Sequence, residues 1–468
     1  MSMFSTGILV LTSPLHTLPL RIAPVLSSAA QLVERTLYVH LHPGLNLGKE
    51  CQARPVYIPP VVDLSKLITR LYNNAADICG HLDVRVLLTN VHAQSATIPN
   101  CPFPTPQPLS HSPEVVLTDF PVLDTSQTHQ VTQCLQKYTG RCYVCSPALS
   151  SVLLHPQLVN LEQEKVDPEK PEETVEAMKT YNDVVVGGTF DRLHGAHRTL
   201  LNISCLLANR RFLIGVCDQA MLKRKVLKEL IEPYSVRVEK LQEFLHDVKP
   251  SLEVEIVPLN DPLGVSVEDP LLECIVVSEE TRKGGEAVNK KRIENGLPAL
   301  VLHEIQLLKD AHRSEIEEEK ISSSSLRTRL LGTLLTPLKV RLKALTDIVW
   351  PEIALIVKNR IQQAREEGKQ VCVLDAAVLL EAGWNDMVHE VWVTVIPEEE
   401  AVSRITERDG VSTEDALRRL HSQWSNYKQV QYANVALTTL WEPEVTQKQV
   451  LKAWNLLQKR IQQRGARQ

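Results

Sequence analysis

The chain reads as an α/β protein built on parallel sheets and divided into three blocks. Two observations predict this. Four short runs rich in β-branched residues, Asp183–Val186, Phe212–Val216, Val254–Pro258 and Cys274–Val277, are interleaved with Gly195–Ala208 and Ser235–Val248, whose apolar residues recur at three and four. Such alternation argues for strand–helix–strand crossovers and a doubly wound sheet. The runs are also continuously apolar, as strands buried on both faces are.

A length of 468 residues predicts about three domains. Hydrophobic residues at 43% and charged residues at 23% exclude a wholly disordered chain. Fifty-one basic against 56 acidic residues leave no basic excess for wrapping nucleic acid, although local basic groups can still bind small anions. No run of about 18 apolar residues occurs, so no transmembrane helix is expected. The ten cysteines are scattered and predict no disulfide framework; free thiols in a reducing compartment are expected, the lone Cys142–Cys145 pair included. The first residues lack acids up to Glu34 and carry one base, Arg21. They are acid-poor like a mitochondrial transit peptide but lack its arginines, and Gly7–Thr12 reads as a buried strand that a removable leader would not supply. Cytoplasmic and mitochondrial locations both stay open.

Leu161–Thr180 is half charged, with two prolines. It cannot bury enough apolar surface to offset its ordering entropy, and reads as a linker. Thr336-Pro337 marks a second boundary after the helical pattern of Ser325–Leu335. The expected domains are 1–160, 181–335 and 338–468, with 161–180 between the first two.

In doubly wound sheets ligands bind beyond the carboxyl ends of the strands. After the first strand of the middle block comes Gly187-Gly188-Thr189-Phe190-Asp191-Arg192-Leu193-His194-Gly195-Ala196-His197, then a helix. Paired glycines let backbone approach a ligand, and a helix N-terminus offers unpaired N–H groups to an anion. His194 and His197, three apart, are expected to project to one side. Two imidazoles and a hydroxyl there suit a phosphate that gains charge in a transition state; a plain strand-to-helix turn with two incidental histidines is the alternative. Two further anion-binding candidates follow. Leu222-Lys223-Arg224-Lys225 comes after the second strand, where it could equally be a solvated face. Ile321-Ser322-Ser323-Ser324-Ser325-Leu326-Arg327 holds serines usual at helix N-caps, with an arginine whose planar fork could clamp phosphate.

Together with Val276–Gly285, Asn289 and Arg292, these motifs resemble the phosphopantetheine adenylyltransferases among the HxGH nucleotidylyltransferases, and in particular the adenylyltransferase half of the bifunctional coenzyme A synthases of animals. The match spans the middle block. It departs at Ala196, where the signature has glycine; a methyl group is small, and the turn is expected to survive. The resemblance implies that the phosphate of 4′-phosphopantetheine attacks the α-phosphorus of ATP, releasing pyrophosphate and giving dephospho-coenzyme A. It further implies that His197 steadies the α-phosphate and His194 the triphosphate. Gly187, Gly188, Thr189, Phe190 and Asp191 would lie along the substrates, with Thr189 and Lys223 or Lys225 holding the attacking phosphate. Ser322, Ser323, Ser324 and Arg327 would hold the leaving phosphates, and Ser278, Glu279 and Thr281 the adenine side. Mg²⁺ would accompany ATP, with no dedicated metal ligands.

The third block offers Lys369–Leu374 as a strand running into Asp375, then Glu381, a strand over Glu390–Ile396, and Arg404, Arg408-Asp409-Gly410 and Arg418 on helical stretches. Each arginine alone could belong to a solvated helix. Together they resemble the later part of dephospho-coenzyme A kinase, which implies phosphorylation of the ribose 3′-hydroxyl. That kinase begins with a P-loop, G-x-x-x-x-G-K-[ST], and the sequence contains none. The chain passes from Leu331–Pro337 into Leu338–Trp350, expected as a late kinase helix, so the block reads as a truncated kinase-like fold whose activity is doubtful.

The first block carries no motif with chemistry, yet it repeats the order of the second. Gly7–Thr12 with His16 echoes DVVVGGTFDRLH, Thr36–His42 echoes RFLIGV, Glu114–Asp119 echoes CIVVSEE, and Leu149–Leu154 echoes SSSSLRTRLL. Pro19 stands where the second histidine would be. This reads as a degenerate nucleotidylyltransferase-like domain, against chance similarity of two α/β domains; as a silent duplicate it would leave activity to a chain beginning near Pro171. The functional alternatives are an enzyme of coenzyme A biosynthesis, with ATP, 4′-phosphopantetheine and dephospho-coenzyme A as ligands, and a non-catalytic scaffold or regulatory protein of metabolite-binding modules. Oligomeric state is not legible.

Overall fold

The computed structural model describes residues 3–47, 54–57, 63–92, 102–122, 125–154, 178–223, 225–306, 321–333, 351–376, 379–380 and 383–465. Most of the charged linker, Arg224, Glu381 and the helix expected over Leu338–Trp350 lie outside them. Residues 1–224 with 232–323 form one compact unit, and 225–231 with 324–468 a second.

The first unit holds two five-stranded sheets, parallel throughout. Sheet one comprises β1 (Phe4–Leu11), β2 (Val33–Leu41), β3 (Asp83–Leu87), β4 (Val115–Thr118) and β5 (Ser150–Leu153), ordered β3-β2-β1-β4-β5. Its helices are α1 (Leu18–Ala30), α2 (Leu64–Ile78) and α3 (Thr128–Cys142). Sheet two comprises β6 (Tyr181–Gly188), β7 (Ala208–Cys217), β8 (Glu253–Leu259), β9 (Cys274–Ser278) and β10 (Val301–Ile305), with helices α4 (Gly195–Leu207), α5 (Tyr234–Val248) and α6 (Arg282–Glu294). Its order is β8-β7-β6-β9-β10, the order of sheet one. The repetition read from the sequence is therefore a repetition of topology. One echo needs correcting: Ser150–Leu153 is a strand paired with β4, so it corresponds to β10 and not to the serine-capped helix. Two adjacent serines suit an edge strand as well as an N-cap, and only pairing decides between them.

The two sheets share one apolar core, running from Leu9, Ile22, Leu67 and Val86 to Leu201, Phe212 and Phe244. Helix α2 packs on α4, and α5 on β3. Buried charge crosses the same boundary. Arg85 of β3 donates to Asp83 (2.6 Å), to Glu243 (2.7 Å) and to Asp247 (2.7 Å), the last two on α5. The Tyr38 hydroxyl and the Ser110 N–H and hydroxyl also donate to Asp247. This shared core argues against an independent second domain. A chain beginning near Pro171 is expected to aggregate or to melt at least about 10 °C lower, because it exposes that core and loses the Tyr38, Arg85 and Ser110 contacts to Asp247. An unchanged thermal midpoint for the shortened chain would refute this.

Sheet one fills its own strand-end cradle. Thr12 and Ser13, just beyond β1, donate through N–H and hydroxyl groups to buried Asp119, just beyond β4, and Arg21 donates to the Ser13 hydroxyl. An internal carboxylate thus occupies the donors that a foreign anion would need. Cys142 and Cys145 are free thiols, as expected, and burial pushes Cys145 up to about 11. Cys134, in contrast, is disulfide-bonded; pairing depends on Cα proximity, which sequence spacing does not reveal.

In the second unit, β11 (Trp392–Val395) and β12 (Val435–Thr438) form a two-stranded parallel pair, around a small core that includes Val393, Val395, Leu380 and Ala436. Helices α7 (Ser323–Leu330, its first residue in the first unit), α8 (Pro351–Glu366), α9 (Glu398–Asp409), α10 (Thr413–His421), α11 (Asn426–Tyr432) and α12 (Pro443–Gly465) complete the described elements. The expected strand over Lys369–Leu374 does not form: the segment is irregular and Val373 is 79% exposed. An apolar run becomes a strand only against a partner, and none of the described strands pairs with it. No helix among the described residues is long and apolar enough to cross a membrane.

Candidate active site

The site starts where β6 ends. Gly188 allows the closest approach here, since a Cβ on it would meet the Phe190 ring at 3.0 Å. Phe190 and Arg192 then adopt left-handed backbone, with φ of 51° and 50°. Non-glycine residues are held so only where their surroundings over-determine them, commonly at functional sites. Here the holding groups are visible. Buried Arg237 of α5 donates to the carbonyls of Thr189 (2.6 Å), Cys217 (2.9 Å) and Glu232 (2.9 Å). Buried Asp191 accepts from the Glu232 N–H (3.0 Å) and from Arg192 (2.9 Å), while the Arg192 N–H donates to the Glu232 carboxylate. The Asp191 carboxylate is thus engaged in shaping the loop.

His194 caps α4 and His197 follows in its first turn. Their rings stack with centroids 3.8 Å apart and planes 23° apart, and Phe190 lies 5.3 Å from the His197 ring. Both Nδ1 atoms are buried without a hydrogen-bond partner, an arrangement that needs a reason in a protein interior. Burial, with help from the neighbouring Arg198, holds His194 well below the usual imidazole range. His197 is lowered to about 4, by burial first, with Asp191 opposing and Arg198 assisting. At neutral pH both rings are uncharged, so each has one N–H to donate.

The serine-rich segment reaches this loop. The Ser323 hydroxyl donates to the Asp191 carbonyl (3.1 Å) and lies 3.4 Å from His194 Nε2, across 132 residues of sequence. Ser322 is partly buried beside it in the chain. Within the second unit, buried Arg327 donates to the Val226 carbonyl (3.0 Å) and to the Ser324 hydroxyl (3.2 Å). Lys223, beyond β7, and Lys225 are exposed. Beyond β9, Ser278 and Thr281 bind each other in a turn before α6, the Ser278 N–H donating to the Thr281 hydroxyl (2.9 Å), and Glu279 is exposed. Asn289 and Arg292, part of the recognised motif, act on the scaffold: Asn289 exchanges hydrogen bonds with the Leu300 backbone, and Arg292 donates to the carbonyls of Ser266, Asp269 and Pro298.

The kinase-like arginines each pair with an acidic neighbour on or beside their own helix, and Arg404 also reaches Thr439 beyond β12. Arg404 bonds Glu400 and Thr439, Arg408 bonds Asp409, and Arg418 bonds Asp415. Asp375 is exposed. Sequence reasoning passed over Arg237 and Arg198. Arg198 directly follows His197, which was its only available signal; Arg237 gave none.

Buried neutral histidines also set a pH dependence. His40 and His42, bound to Tyr138 and Tyr143 in sheet one, are likewise held down by burial, His42 to about 4. Unfolded, each imidazole binds its proton near pH 6.5; folded, each binds it only at lower pH, His42 and His197 near 4. Stability is therefore expected to be fully present above pH 6.5 and to fall as pH drops toward 4. Thermal midpoints unchanged between pH 7.5 and pH 5 would refute this.

A parallel doubly wound sheet with a histidine pair stacked at the helix N-terminus beyond its first strand defines a nucleotidylyltransferase. Comparison with known proteins narrows this. A cytidylyltransferase-like family model matches residues 185–329, a COASY N-terminal domain model residues 5–154, and a dephospho-CoA kinase model residues 304–440. A phosphopantetheine adenylyltransferase of Pyrococcus horikoshii is 40% identical over 164 residues, covering 35% of this chain and 99% of that protein. One from Thermococcus gammatolerans is 39% identical, covering 34% of this chain and 97% of its own. The phosphopantetheine adenylyltransferase of Saccharomyces cerevisiae is 39% identical over 168 residues, covering 35% of this chain, and the chain spans 54% of its length. The chain belongs to the phosphopantetheine adenylyltransferase family.

Proposed function

We propose that this protein transfers the adenylyl group of ATP to 4′-phosphopantetheine. The observation that carries the reading is the pair of stacked, uncharged imidazoles with unpartnered buried Nδ1 atoms at the start of α4. A phosphate oxygen of 4′-phosphopantetheine bonds to the α-phosphorus of ATP, the bond to the β-phosphate oxygen breaks, and pyrophosphate leaves with that electron pair. The attacking oxygen is already ionised, so no general base is required and catalysis is alignment plus charge stabilisation. His197 donates to an α-phosphate oxygen as charge grows there. His194 and the free N–H groups of the α4 N-terminus face the departing phosphates, with Ser323 adjacent. Lys223 and Thr189 serve the attacking phosphate, Ser278–Thr281 the adenine, and Ser322 the pyrophosphate. Mg²⁺ would neutralise the triphosphate, held by phosphate oxygens; among the described residues no three His, Cys, Asp or Glu side chains gather as a metal site.

The kinase-family match over 304–440 supports a place in coenzyme A synthesis; a cytoplasmic or mitochondrial location is part of the same proposal. The test is direct: the purified chain with ATP and 4′-phosphopantetheine should yield dephospho-coenzyme A and pyrophosphate in equal amounts by chromatography. Absence of both products would favour the scaffold reading.

A further inference from the structure

The two histidines stand at the start of helix α4, and Asp83 of sheet one and Tyr72 of α2 hold that helix at two successive turns. The Arg198 guanidinium lies 2.7 Å from Asp83 Oδ1, at the start of β3. The other Asp83 oxygen accepts from Arg85 Nε (3.0 Å) and from its terminal nitrogen (2.6 Å). One turn along, Asn202 donates to the Tyr72 hydroxyl of α2 (2.9 Å), which also accepts from the Val86 N–H. The Asp83 carboxylate is therefore fixed from one side by Arg85, itself anchored on Glu243 and Asp247, and from the other grips the residue next to His197.

We propose that Arg198, clamped by Asp83, is a positioning residue for adenylyl transfer: it fixes the first turn of α4 and so the placement of the His194 and His197 rings. The inference rests on the adenylyltransferase reading above. Several facts support it. Both histidine rings lack protein partners at Nδ1, so the backbone of α4 must supply much of their orientation. The Arg198 side chain is only 17% exposed and its Nε is buried without a partner; Asp83 Oδ1 likewise accepts no hydrogen bond, so the 2.7 Å contact between them is an ion pair that holds the guanidinium by charge. Burial alone would raise the Asp83 carboxyl, but Arg198 and Arg85 outweigh it and hold it below the usual carboxylate range. The Asp83 side of the clamp is thus held in its charged form by its arginine neighbours. It gives sheet one a role in catalysis although its own cradle is filled by Asp119.

The experiment uses the full chain and the variants D83N, R198Q, R198K, the double variant D83N/R198Q, and Y72F, which removes the Asn202 contact one turn along and leaves the Arg198–Asp83 ion pair in place. Turnover, KM for ATP and for 4′-phosphopantetheine, and thermal midpoint are measured for each. D83N and R198Q are each expected to lower kcat about tenfold with both KM values within about twofold, since small displacements of a catalytic group cost rate more than binding. The double variant should be no worse than R198Q alone, because the two act through one contact, and R198K should recover part of the loss. Y72F should lower the thermal midpoint with kcat within about twofold of wild type. Wild-type-like kcat in D83N or R198Q, additive losses in the double variant, or an equal kcat loss in Y72F would each overturn the proposal. An inactive wild-type chain would overturn the adenylyltransferase reading itself, and the inference with it.

Discussion

Replacing His197 with alanine is expected to lower turnover at least about 100-fold, on the order of 3 kcal/mol of transition-state stabilisation. The imidazole is held neutral, with its protonation displaced to about pH 4. It can therefore donate one well-placed hydrogen bond without the cost of burying a cation. Its donor matters most when charge builds on the α-phosphate, so KM for either substrate should change little. His197 should contribute no acid limb near pH 6.5 to the wild-type profile, because its titration lies lower. The ring also contacts Phe190, so thermal midpoints of both forms must be compared to separate lost chemistry from lost packing. A folded H197A protein with kcat within about threefold of wild type would remove His197 from the mechanism.

Formation of coenzyme A from dephospho-coenzyme A is expected to run at least about 1,000-fold slower than adenylyl transfer. Phosphoryl transfer relies on a loop of backbone amides, a lysine and Mg²⁺ to hold the β- and γ-phosphates in line with the acceptor, and orientation of that kind supplies several kcal/mol of a barrier. The sequence contains no such loop. Two further observations point the same way. The segment before Asp375 is not a strand, and none of the described strands pairs with it to hold that carboxylate against a sheet. Arg404, Arg408 and Arg418 lie exposed in local pairs with acidic neighbours, the ordinary behaviour of a solvated helix. The purified chain would be given ATP and dephospho-coenzyme A, with coenzyme A followed by chromatography. Turnover comparable to the adenylyl step would mean that other residues bind the phosphates.

Much of this was legible in the amino-acid sequence. Strand–helix alternation named the class of the second sheet because a parallel strand buried on both faces must be continuously apolar, and that pattern is local. The repeat between Gly7–Asp119 and Asp183–Ser278 became a shared strand order for the same reason. Spacing alone put His194 and His197 on one side of a helical turn. Where a short segment fits two structures, local pattern fails: Ser150–Leu153 became a strand through its pairing with β4, and Lys369–Leu374 is irregular, with no described strand paired to it.

Tertiary structure alone decided how the site is held. Phe190 and Arg192 are forced into left-handed backbone by Arg237, Asp191 and Glu232, and Arg237 lies 48 residues from Thr189, whose carbonyl it binds. Ser323 meets His194 across 129 residues, and Asp83 meets Arg198 only because α2 and α5 pack sheet one against sheet two. Asp191, expected along the substrates, and Arg327, expected at the leaving phosphates, are also buried, with their charged groups bonded to backbone and neighbouring side chains. A motif records which residue types chemistry and packing both require. Only the packed chain, where each buried polar group must find a partner, separates the two demands.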